Sequence, residues 1–165
     1  MRGVILGLTV GFISVPAFAQ QAAAPGTSSQ AVGRTMVSAA DVTALIAKAR
    51  VDRKEGQALL AQSMIQLAPY NVSLEYRAAV ANAAVHDKEA ELFYVVDGSA
   101  TLITGGKLKD EKRTNAENSS GSAIEGGVTR HVAKGDFIMV PEGTPHWFSA
   151  IDGTIVLMSL HLPRK

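Results

Sequence analysis

Past Gly56 the apolar residues of this 165-residue chain alternate with polar ones or run together over strand lengths. Val72, Leu74, Tyr76, Ala78 and Val80 fall on one face of an extended segment, with Ser73, Glu75 and Arg77 on the other. A period of two cannot build an amphipathic helix, whose neighbours recur every three to four residues. Residues 58–67 also read as a strand, joined to 72–80 by a turn at Pro69-Tyr70-Asn71. Two short strands, 92–96 and 100–104, flank Asp97-Gly98, a hairpin turn signal. Residues 137–140 form a further run closed by Pro141-Glu142-Gly143, and 155–162 make the last strand, with Val156, Met158, Leu160 and Leu162 on one face. Many short strands separated by turn residues predict an antiparallel sandwich or barrel.

One helix precedes the strands. Ser38 and Asp41 form an N-cap pair, and Val42, Leu45, Ile46 and Ala49 follow at i, i+3, i+4 and i+7, so a short amphipathic helix is expected to end near residues 53–56. Further upstream, residues 1–19 read as a secretory signal peptide. Arg2 is the positive start, 4–15 an apolar run, Pro16 the break, and Ala17 and Ala19 the small residues before the cut. The run is shorter than the roughly 20 residues a membrane span needs. Export to the periplasm or the medium is therefore expected, with no membrane attachment after cleavage. Residues 20–37 read as a flexible leader, and 38–165 as a single domain with its core in 57–162. Residues 105–127 hold little apolar material and predict a long hairpin excursion or a mobile loop.

Composition narrows the chemistry. The chain has no cysteine, which removes disulfides, thiolate metal sites and a cysteine nucleophile. Lys and Arg number 16 against 15 Asp and Glu, so the basic excess of a nucleic-acid binder is missing. The mixed charges of 107–113 describe a solvated segment. No phosphate-cradling glycine loop precedes a helix, and no G-x-S-x-G elbow occurs.

Two motifs carry the functional reading. His86, Glu91 and Gly98 stand in the spacing H-x4-E-x6-G, and Gly135, Pro141, Gly143 and His146 in G-x5-P-x-G-x2-H. Together they resemble the paired motifs of the cupin superfamily, over roughly residues 57–162. The resemblance implies an all-β fold, a cupin-type antiparallel β-barrel (jelly roll) with one short N-terminal helix. It also implies a divalent metal, a small organic ligand in the barrel, and a homodimer. The usual cupin ligands are three histidines and a glutamate. Carried over by position, His86, Glu91 and His146 are present and Ala84 stands where one histidine would be. The opening glycine and closing asparagine of the two motifs are likewise replaced, by Ala78 and Ala150. Two imidazoles and a carboxylate suit Fe, Mn, Ni or Zn and leave positions open. The activities implied are those of a metal-dependent oxygenase, isomerase or lyase, with a non-catalytic binding or sensing protein as the alternative.

Since His86 and Glu91 differ in strand parity, they can converge only if 87–90 bend. Tyr94 and Glu89 are the candidates for proton transfer, against a rim tyrosine and an exposed carboxylate. Tyr76, Arg77, Trp147 and Phe148 are candidate pocket residues. Arg77 also reads as the partner of Glu75 in a surface ion pair, and Trp147 as a packing residue. One of Trp147 and Phe148 is expected to point into the barrel and the other outward. His131 reads as surface. His161 shares a face with Ile155, Leu157 and Ser159, and is held as a lesser alternative for the missing nitrogen ligand.

Overall fold

A computed structural model describes residues 34–164. The expected signal peptide, and most of the expected leader, lie outside the described residues. Helix α1 (Ala39–Asp52) begins at Ser38, whose Oγ accepts from the Asp41 amide while the Asp41 carboxylate accepts from the Ser38 amide. This reciprocal cap satisfies two amides that a helix start otherwise leaves bare. Eleven strands follow: β1 (Leu59–Leu67), β2 (Tyr70–Arg77), β3 (Ala83–His86), β4 (Glu89–Thr104), β5 (Lys107–Lys109), β6 (Lys112–Arg113), β7 (Asn118–Gly121), β8 (Ala123–Glu125), β9 (Val128–Ala133), β10 (Phe137–Val140) and β11 (His146–Pro163). All pairings are antiparallel. Nine strands form one sheet, in which β11 lies between β2 and β4 and also meets β3. The fold is the expected jelly-roll barrel with one short helix.

Two apolar clusters divide the molecule. Phe93, Val95, Leu102, Val140, Phe148, Ile155 and Leu157 fill the barrel. Ala49 of α1 packs with Met64, Leu74, Tyr76 and Val156 in a second cluster, joined by Val42, Leu45 and Ile46. The helix therefore seals the outer, apolar face of β1, β2 and β11. The polar face of β2 is consequently turned inward: Glu75 is the cross-strand partner of Leu157 and Arg77 of Ile155, both barrel-core residues.

The expected hairpin at Asp97-Gly98 does not form. β4 runs unbroken from Glu89 to Thr104, with Gly98 inside it. A Cβ at Gly98 would lie 2.0 Å from the carbonyl oxygen of Thr154, and its φ is +80°. The glycine serves a close backbone approach beside the irregular pairing of β11 between Ile151 and Ile155. Residues 105–127 also differ from expectation, since they contain β5, β6, β7 and β8. β7 pairs with β3 and buries Ser119. Cross-strand pairing and the close approach that small Ser and Gly residues allow hold this segment, so it shows no apolar run in the sequence.

Candidate metal centre

β3 ends at His86, the chain bends at Asp87 and Lys88, and β4 starts at Glu89. That bend lets His86 and Glu91 face the same space despite their opposite parity. His146 enters from the start of β11, behind the Gly143-Thr144-Pro145 turn. The Gly143 amide donates to the His86 carbonyl at 2.7 Å, so the turn is tied to the strand end that carries the other histidine. His86 Nε2 lies 3.3 Å and His146 Nε2 3.1 Å from Glu91 Oε2. Glu91 and His146 are buried, while the His86 side chain keeps 19% exposure. His86, Glu91 and His146 thus form a group able to hold a metal ion, and His86, Glu89 and His161 form a second group overlapping it.

The outer nitrogens are held as well. His86 Nδ1 lies 2.6 Å from Asn118 Oδ1. The Asn118 amide is oriented by its own Nδ2, which donates to Asn115 Oδ1, so its oxygen faces the ring. His146 Nδ1 lies 3.3 Å from the Thr144 carbonyl. Both partners only accept, which places the proton on Nδ1 and leaves Nε2 with a lone pair. Two bare nitrogens and a carboxylate oxygen then point at one another, an arrangement that repels itself unless a cation or proton sits among them. The donor set therefore fits a divalent metal.

Without metal, a proton on His86 Nε2 serves that purpose. The hydrogen bond to Glu91 raises the His86 pKa above its ordinary 6.5, against the opposing effect of burial, and Asn118 and the charges of Glu91 and Glu89 add to the rise. Burial pushes the Glu91 carboxyl up. The hydrogen bonds from His146 and His86, the His146 charge and the Ser159 hydroxyl outweigh it, and hold the group well below the usual carboxylate range. A raised histidine stabilises the fold fully below the unfolded value and loses that contribution as pH climbs through the folded one. In chelator-treated protein, the melting temperature of wild type relative to His86→Ala is therefore expected to fall as pH rises past 6.5. Thermal melts across neutral pH check this, and a difference that grows with pH would contradict it.

Of the proton-transfer candidates, Glu89 reaches the site: its Oε2 lies 3.0 Å from His161 Nδ1. Tyr94 does not. It alternates with Glu91, Phe93 and Val95 along β4, so it faces outward, 38% exposed, beside Phe137. Tyr76 packs in the cluster under α1, on the far side of the sheet from the histidines. Arg77 is inside the barrel, paired to Glu75 at 2.7 Å and lying 4.6 Å above the Phe148 ring. The expected pair exists, but buried and not at the surface, because α1 claims the other face of β2. Phe148 is the inward residue of its pair, edge-on to Phe93. Trp147 is only partly buried, and its Nε1 donates to the Ala81 carbonyl, so it anchors the segment between β2 and β3. His131 is exposed beside Asp152.

Two site residues escape the motif spacing. Ser159 is fully buried and donates to Glu91 Oε1 at 2.5 Å. Asn118 comes from the segment expected as an excursion. Ser159 was legible by parity with Ile155 and Leu157, whereas nothing local marks Asn118.

A β-barrel with a histidine–carboxylate cluster at one end and an apolar filling at the other is the architecture these elements define. The family model for Cupin matches residues 55–161. The chain belongs to the cupin family. Among curated proteins, no sequence matches it. Among solved structures it is similar to FeII HppE, with a TM-score of 0.51 and 14% identity over 67% of this chain and 54% of that one. It is also similar to KdgF from Halomonas sp., with a TM-score of 0.49 and 15% identity over 68% and 86%. A cupin superfamily protein from Desulfitobacterium hafniense DCB-2 gives 0.47 and 17% over 68% and 83%. At these identities the likeness is one of fold.

Proposed function

We propose that this protein is an exported, periplasmic or secreted cupin that holds a divalent first-row metal through His86, Glu91 and His146 and acts on a small organic molecule. The observation that carries the reading is the convergence of two Nδ1-anchored imidazoles on the buried Glu91 carboxylate. The small molecule would meet the site from the His86 side. The barrel below Glu91 is filled by Phe93, Val95, Phe148 and Leu157, while the His86, His161 and Glu89 side chains retain partial exposure.

A bound metal of this ligand set would polarise an oxygen-bearing substrate or activate water or oxygen. The chain's own residues supply the rest. Glu91 and the histidines bind the metal, Asn118 and the Thr144 carbonyl orient the two rings, and the apolar barrel floor excludes water. Glu89, at the edge of the cluster, is the carboxylate placed to take or return a substrate proton. This set suits an oxygenase, an isomerase or a lyase. Ala84 favours a second reading, a non-catalytic binding or sensing cupin: it is the cross-strand partner of His146 and offers no ligand there.

Elemental analysis of protein from its native compartment separates the two. About one equivalent of Fe, Mn, Ni or Zn, with a raised melting temperature on adding that metal, is expected for the first. No metal, and no thermal shift with any of the four, would overturn the first and favour the second.

A further inference from the structure

His161 belongs to the cluster. It is the cross-strand partner of Glu91, so the two side chains emerge on the same, inward face. Its Nε2 lies 3.4 Å from Glu91 Oε1, and its ring stands edge-on to that of His86 with centroids 5.0 Å apart. Its Nδ1 lies 3.0 Å from Glu89 Oε2. An ionised carboxylate only accepts, so Nδ1 carries the proton and Nε2 presents a lone pair. The same logic holds for His86 on Asn118 and His146 on the Thr144 carbonyl. All three inward histidines are fixed in one tautomer by an acceptor behind the ring, and all three turn the bare nitrogen toward the Glu91 carboxylate, His86 and His146 at Oε2 and His161 at Oε1. A histidine kept only for packing has no need of this arrangement. A metal-binding histidine does, and a carboxylate behind the ring is a recurrent way of raising its basicity.

We propose that His161 Nε2 is a third nitrogen ligand of the metal, with Glu89 as the acceptor that orients its ring. The proposal rests on the metal site through His86, Glu91 and His146. It adds that the last strand, and not the position of Ala84, completes three nitrogens and one carboxylate. The His161 side chain is about as exposed as that of His86, so a small molecule would reach the cluster past these two rings.

The test is to load the protein, labelled with 15N at its histidine rings, with Zn(II) and to count rings whose Nε2 signal moves to the metal-bound range. Three are expected in wild type, and two in His161→Gln. Glu89→Gln is expected to keep three and to weaken Zn affinity by about 10- to 100-fold, as removal of an outer partner does; His161→Gln should weaken it more. Two bound rings in Zn-loaded wild type, with the His161 signals the same as in metal-free protein, would overturn the proposal and leave the parent site standing. Failure of wild type to take up any Zn would overturn both. Because the wild-type count decides by itself, poor folding of a variant does not blunt the experiment.

Discussion

His146→Ala is expected to purify without stoichiometric metal while keeping its β-sheet signature in circular dichroism. His146 is the deepest imidazole of the cluster, with its side chain 5% exposed, and its Nε2 is the one nearest to Glu91. Its ring is positioned by the turn that β11 starts from, and no neighbouring side chain takes the same place. Across the ladder stand Ala84, with a methyl group, and Thr104. The variant leaves Glu91 hydrogen-bonded to Ser159 and His86, so the barrel should still close. Metal content by elemental analysis is the readout. Metal held by the variant as tightly and at the same occupancy as by wild type would sink the assignment of His146 as a ligand, since His86, Glu91 and His161 alone should bind it more weakly.

Arg77→Met is expected to produce the largest loss of stability. Arg77 and Glu75 side chains are about nine-tenths buried, and both Nε and a terminal guanidinium nitrogen donate to Glu75 Oε2, at 2.9 and 2.7 Å. Removing the arginine strands a carboxylate inside the barrel, which costs about 3–5 kcal/mol for a buried pair broken on one side. The stacking over Phe148 adds roughly 1 kcal/mol. Urea unfolding of the metal-free protein measures this. Replacing both partners with Met and Leu should recover much of the loss, since no charge is then left buried. A double variant as unstable as the single one would show that the pair is not the source.

The helix and its cap were legible because Ser38 and Asp41 act within four residues of each other. His86, Glu91 and His146 were legible because motif spacing records the bend after His86 and the turn before His146. The faces of β2 were less so. Its alternation separates Tyr76 from Arg77, but only the position of α1 decides which set faces the barrel, and here the apolar set faces the helix. Asp97-Gly98 misleads because a glycine needed for close approach to Thr154 looks in sequence like a glycine needed for a turn. Asn118 was invisible, since its role depends on β7 pairing with β3 across 32 residues.

β11 carries His146, Ser159 and His161, and it is the last strand among the described residues. A polypeptide whose residues 146–163 are not yet released from the ribosome holds only His86, Glu89 and Glu91 of this cluster. Contacts of such long sequence separation form late in folding. The strand that shuts the barrel thus also assembles the donor set, so a chain that has not yet folded β11 into place has little means of capturing a metal ion. Loading would fall after folding.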